Sequence, residues 1–295
     1  MILQSSIHWT RFPARAHNGM HMPELPEVET VANGVHARIA GEPIVSAWFS
    51  EKKEPMKSPP ALMVQTLEGA RVKQVRRVGK HIVFDLDRPA KNEITAVQWI
   101  VHLGMSGRLL VNAPDVELAP HTHAVLRLDS GREVRFVDPR RFGRLSIERS
   151  ATGFTGPGSE PLTITFADFA DLFRKRNTPI KAALLDQSSL HGVGNIYADE
   201  ALFRAGIRPR RKAGSLTQVE LQRLHKSLQK VLKEAIKLGG SSVSDYVDAD
   251  GAAGFFQLKH RVYQRTGEPC LVCNTPIRRI ALAGRSTHYC SKCQN

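Results

Sequence analysis

Cysteine is absent from the first 269 residues of this 295-residue chain; the four that exist are Cys270, Cys273, Cys290 and Cys293. That excludes a disulfide framework running through the fold. Aromatic residues make up only 6% of the sequence. No apolar run is long enough for a membrane-spanning helix. Acids are also scarce, 28 against 42 lysines and arginines, and the net charge is +14. A surplus of that size points to a polyanionic partner, nucleic acid first among them. What remains is an ordinary 41% apolar content and a length sufficient for two domains with cores of their own.

Residues 1–21 hold no acid at all, but carry Arg11, Arg15, His17 and His21. Their apolar stretches are too short for a secretory signal. The expectation is that 1–22 is a leader, either removed or upstream of a true start at Met22. The cysteines follow a C-x2-C, sixteen-residue, C-x2-C pattern. Two knuckle turns with that spacing complete a tetrahedron of thiolates, as in a zinc ribbon. Two disulfides are the competing arrangement, disfavoured in a chain without a secretory signal. Four thiolates leave no open coordination position, so one Zn2+ here is structural.

Leu25, Val28, Val31, Val35 and Ile39 recur at helical spacing, which predicts a helix over 24–40 ended by Gly41. From Ile44 to about Glu148 short alternating stretches separated by turn residues predict a β-sandwich. Residues 151–162, rich in Gly, Thr, Ser and Pro, read as a linker. Helices are expected over 166–176, 179–188, 195–205 and 217–238; in the last, lysines oppose an apolar stripe. Residues 239–256 form a long Gly, Ser, Asp and Ala-rich loop. The expected architecture is α+β: a catalytic β-sandwich domain over 23–150, a helical domain over 163–256, and a zinc-stapled β-hairpin over 257–295.

Several short motifs carry chemistry. Met22-Pro-Glu-Leu-Pro-Glu-Val-Glu-Thr30 places a proline beside a glutamate. With Met22 removed, Pro23 becomes a terminal secondary amine, which titrates near ~8 against roughly 10.4 for a lysine. Such an amine attacks a sugar C1′ and leaves a cationic iminium, a good electron sink. The same residues also suit a helix start. The glycine turn of His191-Gly-Val-Gly-Asn-Ile-Tyr197 brings backbone amides and a helix N-terminus within reach of a phosphate. Asp138-Pro-Arg-Arg-Phe-Gly143 joins two cations to an aromatic that can wedge into a base stack, and Met105 in His102-Leu-Gly-Met-Ser-Gly107 is an apolar plug of suitable shape.

These motifs, with Arg77-Val-Gly-Lys80, Gly192-Val-Gly-Asn-Ile-Tyr-Ala-Asp-Glu200 and the terminal cysteines, occur in the order seen in bacterial formamidopyrimidine-DNA glycosylases of the Fpg/Nei family, which the chain resembles over 22–294. The resemblance implies a bifunctional DNA glycosylase and abasic-site lyase of base excision repair, excising oxidised purines (8-oxoguanine, formamidopyrimidines) from damaged double-stranded DNA and cutting the strand by β,δ-elimination through a Schiff base, in the bacterial cytoplasm at the nucleoid. The sequence shows no oligomerisation seam, so a monomer is the default expectation. The resemblance also implies Pro23 as nucleophile, Glu24 as general acid/base, Lys80 in β-elimination and Arg285 in δ-elimination and phosphate contact. It implies DNA contacts from His121, Arg140, Arg141 and Arg176, void filling by Met105, Arg140 and Phe142, and positions near phosphate and lesion for Lys181 and Asn195. The 239–256 loop resembles the segment that closes over the extruded purine. Two alternatives stand beside this one: an oxidised-pyrimidine glycosylase of the same family, and a non-catalytic zinc-containing DNA-binding protein should residues 1–21 be retained.

Overall fold

The computed structural model describes residues 22–89, 94–149, 152–242 and 246–295. Apart from Met22, the expected leader therefore lies outside the described residues. The chain opens with α1 (Leu25–Ile39), begun with Pro26 in its first turn and closed where Gly41 takes a φ of 86°. Then follow β1 (Ile44–Phe49), α2 (Pro60–Leu67), β2 (Arg71–Val78), β3 (His81–Pro89), β4 (Ile94–His102), β5 (Arg108–Asn112), β6 (Thr122–Leu128), β7 (Glu133–Val137) and β8 (Arg144–Glu148).

The strands form two antiparallel four-stranded sheets, in the orders β1-β6-β7-β5 and β2-β3-β4-β8. Alternation puts Phe84 and Trp99 on the inner face of one and Leu126 and Phe136 on that of the other, and all four join one buried core. The sandwich read from sequence is thus present. Helix α2 is an addition; it covers one end of the sandwich through Met63 and Leu67.

The second half holds α3 (Phe166–Phe173), α4 (Ile180–Leu184), α5 (Asn195–Ala205) and α6 (Gln218–Lys237). Thr217 and Glu220 form a capping box that starts α6. Its apolar stripe from Leu221 to Ala235 packs inward while Lys226, Lys230, Lys233 and Lys237 face solvent. Helix α4 is shorter than the spacing predicted, because the chain after Leu185 breaks into turns held by the Asp186 carboxylate. The chain ends in a hairpin of β9 (Arg278–Leu282) and β10 (Arg285–Tyr289), turned by Ala283 and Gly284, both with positive φ.

The two halves exchange side chains. Leu25, from the first turn of α1, is buried in the helical core, while Tyr246 and Ala249 are buried in the sandwich core. This interlock fixes the start of α1 against α5, and so positions the site.

Candidate active site and nucleic-acid interface

A cleft of about 1270 Å³ lies between the sandwich and the helical half, with the terminal hairpin along one side. Glu24, Lys80 and Met105 line it from the first half, Asn195 from α5, and Arg279 and Arg285 from the hairpin. Met22 lines it as well, and Pro23 lies buried just behind.

Glu24 is held from three directions. Its backbone N–H donates to Glu27 Oε2 at 2.9 Å. Its carboxylate accepts from the backbone N–H of Ile196 at 3.1 Å and of Tyr197 at 3.5 Å, so it caps the N-terminus of α5 from a distant part of the chain. Burial pushes its carboxyl up to about 7, with Glu27 adding to the rise and Lys80 and the two amides opposing it. Near neutral pH this group therefore exists both with and without its proton.

Glu27 is the buried partner beneath it. Its carboxylate also receives the Tyr197 hydroxyl and, at 2.7 Å, the Ser241 backbone N–H, and burial raises its pKa. Lys80 sits at the turn between β2 and β3, where Gly79 has a φ of 61°. Burial lowers its pKa; Glu24 raises it in part and Arg285 lowers it further. Glu24, Lys80 and Arg285 thus act on one another across the same cleft.

The finger is seated on α5 by two buried acids. Asp199 accepts from the His288 backbone N–H at 2.8 Å and pairs with Lys181 at 2.7 Å. Glu200 receives the backbone N–H groups of Arg261, Val262 and Tyr263 at 2.9–3.0 Å. The sequence signal for both was the acidic pair in Ala198-Asp-Glu200, which lies on a helix that is buried almost all round.

Three loops meet at Asp138, which is fully buried. Its carboxylate accepts from the Ser106 hydroxyl at 2.5 Å and the Gly143 N–H at 2.7 Å, and its own N–H donates to the His121 carbonyl at 3.0 Å. The latch brings Met105, half-buried at the cleft, beside Phe142, which is 48% exposed. The Arg140 guanidinium stands 4.9 Å over the Phe142 ring. His121 and Arg141 are exposed nearby, Arg141 in an open pair with Glu54 at 3.3 Å. Void-filling and DNA-contact candidates therefore share one rim.

Arg176 is held by Asp186 at 2.9 Å and remains one-third exposed. Asn195 donates to Ser286 Oγ at 3.3 Å and so ties α5 to the hairpin.

Three of the expected features are engaged within the protein itself. Lys181 does not face the cleft: it is 1% exposed, and its ammonium is spent on Asp199, the Ser286 carbonyl at 2.7 Å and Thr287 Oγ1 at 2.9 Å. It fastens the finger to the helices. The glycine turn before α5 is not a free phosphate cradle, because Glu24 occupies the amides of Ile196 and Tyr197. Among the described residues of 239–256, none lines the cleft. They pack on the first half instead, through Ser241 on Glu27, Ala249 O on the Val111 N–H at 3.0 Å, and an Asp250–Arg38 pair. Residues 243–245 of that loop lie outside the described residues.

The cysteine sulfurs gather within 4.8 Å of one another, with close separations of 3.4 Å for Cys273–Cys290 and Cys273–Cys293 and 3.9 Å for Cys270–Cys293. A disulfide needs about 2.05 Å. Zn–S bonds of about 2.3 Å arranged tetrahedrally put sulfurs about 3.8 Å apart. The N–H groups of Val272 and Cys293 point at Cys270 Sγ and Cys290 Sγ at 3.5 Å, as knuckle turns do for bound thiolates.

Comparison with known proteins covers most of the chain. The formamidopyrimidine-DNA glycosylase N-terminal domain matches residues 22–145, the formamidopyrimidine-DNA glycosylase H2TH domain matches 156–247, and the zinc finger found in FPG and IleRS matches 267–295. A formamidopyrimidine-DNA glycosylase of Solibacter usitatus is 45% identical over 274 residues, spanning 92% of this chain and 99% of that protein. The MutM (Fpg) protein of Thermus thermophilus superposes with a TM-score of 0.78 at 41% identity, over 92% of this chain and 98% of that one. Lactococcus lactis Fpg in complex with DNA containing an abasic site superposes with a TM-score of 0.81 at 31% identity, over 92% and 99%. The sulfur geometry and the zinc-finger match agree on one structural zinc.

Proposed function

The chain belongs to the formamidopyrimidine-DNA glycosylase family, and on that premise we propose that its mature form, beginning at Pro23, excises oxidised purines from duplex DNA and then cuts the strand. The substrates are lesions such as 8-oxoguanine and formamidopyrimidines. The observation that carries the reading is the meeting of a carboxyl poised near neutrality, a buried lysine and an arginine in one cleft beside Pro23. The first family match begins at Met22, and the Solibacter relative is matched over 99% of its own length by 92% of this chain. Both support a functional start after Met22.

The steps follow from the residues. The Pro23 amine attacks C1′ as Glu24 gives its proton to the sugar ring oxygen, and the C1′–O4′ bond opens. The Pro23 nitrogen then passes its own proton to the base and its electron pair to C1′, so the glycosidic bond breaks and the departing base leaves an iminium. The iminium acidifies the C2′ proton, and Lys80, depressed by burial, is suited to take it. The C3′–O bond then breaks and the 3′ phosphate leaves. A second elimination breaks the C5′–O bond and leaves a one-nucleotide gap; water releases Pro23. Arg285 remains cationic throughout, so its part is to anchor phosphate and stabilise departing charge.

Met105, Arg140 and Phe142 fill the space vacated by the extruded nucleotide, while His121, Arg141 and Arg176 hold the backbone. The enzyme acts as a monomer. Zinc holds the Arg285 hairpin in place and does no chemistry.

Borohydride trapping tests the reading. Protein made from Met22, with Met22 removed, incubated with an 8-oxoguanine duplex and borohydride, is expected to give a covalent protein–DNA adduct. Tight binding with neither adduct nor nicking overturns it and leaves a DNA-binding protein. Faster excision from an oxidised-pyrimidine duplex of matched sequence overturns the lesion assignment.

A further inference from the structure

The turn bearing Lys80 rests on a buried cluster outside the cleft. His191, from the loop before α5, is buried and does not line the cleft. Its ring lies against two glycines: a Cβ on Gly79 would stand 3.2 Å from its Nδ1, and one on Gly156 would stand 2.4 Å from the same atom. A side chain at Gly156 would force the ring to move; one at Gly79 would press on it, in a backbone whose φ of 61° already disfavours a side chain. The ring's Nε2 stands 3.3 Å from Glu160 Oε2.

That same Glu160 oxygen receives Arg77 at 2.9 Å. Arg77, 4% exposed, also donates to Glu29 at 2.6 Å and to the carbonyl of Gly79 at 3.1 Å. The Gly79 peptide is thus clamped on its carbonyl by Arg77 and backed by the His191 ring, and Glu160 joins the two. The Lys80 side chain leaves the residue next to that clamp.

We propose that His191 and Arg77, joined through Glu160, are positioning residues for Lys80. They hold the Gly79–Lys80 turn so that the lysine meets the C2′ proton. The inference rests on the Lys80 role proposed above. A turn released by even an ångström takes the amine nitrogen out of proton-transfer reach, and misplacement on that scale costs about a hundredfold when the group is essential to the step.

The test uses the Met22-start protein and two duplexes, one with a preformed abasic site and one with an uncleavable tetrahydrofuran site. The wild type must cut the first and trap with borohydride; its failure to do so refutes the Lys80 reading itself. Given that activity, His191→Ala is expected to bind the tetrahydrofuran duplex within about twofold of wild type and to retain its zinc. Its single-turnover cutting at saturating enzyme should fall on the order of tenfold or more. His191→Phe restores a flat ring behind Gly79 and should recover most of that loss. Cutting by His191→Ala at the wild-type rate overturns the proposal. So does parallel loss of binding, zinc and cutting, or a His191→Phe protein no better than His191→Ala.

Discussion

Glu24 occupies the space that a side chain at Gly194 would need: a Cβ built on Gly194 would stand 2.1 Å from the Glu24 carboxyl carbon. The glycine turn before α5 is therefore shaped to receive the Glu24 carboxyl from the start of α1. Gly194→Ala should displace that carboxyl and lower single-turnover base release by on the order of a hundredfold, with binding of a tetrahydrofuran duplex nearly unchanged. Base release and filter binding on the same preparation check this.

The raised Glu24 pKa sets a pH dependence. If the protonated carboxyl opens the sugar ring, base excision declines as pH rises through about 7. Burial is the main cause of the rise, and Lys80 opposes it. Removing that positive charge in Lys80→Gln should therefore move the alkaline limb to higher pH. Glu27 adds to the rise, so Glu27→Gln should move the limb to lower pH. Base release measured from pH 5 to 9 on an 8-oxoguanine duplex gives both limbs.

The Lys181–Asp199 pair, fully buried at 2.7 Å, predicts a stability effect and not a contact effect. Lys181→Met leaves Asp199 charged and unpaired in the interior. The expected cost is about 3–5 kcal/mol of unfolding free energy. Urea denaturation checks it, and the salt slope of DNA binding should be unaltered because no phosphate contact is lost.

Asp138 holds the Met105 and Phe142 loops through Ser106 and Gly143. Asp138→Ala frees both and leaves the Gly143 N–H without its acceptor. Affinity for a lesion-analogue duplex should drop by about tenfold, which is the 1–3 kcal/mol range of a lost buried hydrogen-bond partner. Affinity for undamaged duplex should change little, since that rests on exposed cations. Competition binding separates the two.

Zinc removal should be severe and local. A chelator that strips the four thiolates unfolds the β9–β10 hairpin and carries Arg285 out of the cleft. Zinc release measured with a colorimetric dye should parallel loss of DNA binding, and mass spectrometry of the native protein should give one ion per chain.

Much of the site was legible as local pattern. The cysteine spacing, the Pro-Glu start and the Asp-Pro-Arg-Arg-Phe-Gly run each pair chemistry with neighbours a few residues away, and the structure gathers the four sulfurs as expected. The internal partners of Lys181 and of the 239–256 loop were not legible for one reason. A lysine or a polar loop looks solvent-facing in one dimension, and only the partner segment shows otherwise. For Lys181 that partner is Asp199, 18 positions on; for the loop it is α1, some two hundred residues back.

The sequence by itself determined most of the elements: periodicity set α1 and α6, alternation set the strands, and four cysteines set the metal. Tertiary structure alone decided the chemical state of the acids. The pKa of Glu24, the burial of Asp199 and Glu200, and the clamp behind Lys80 depend on desolvation and on charges brought from distant segments. Those are properties of the packed volume around a group, and no spacing along the chain encodes them.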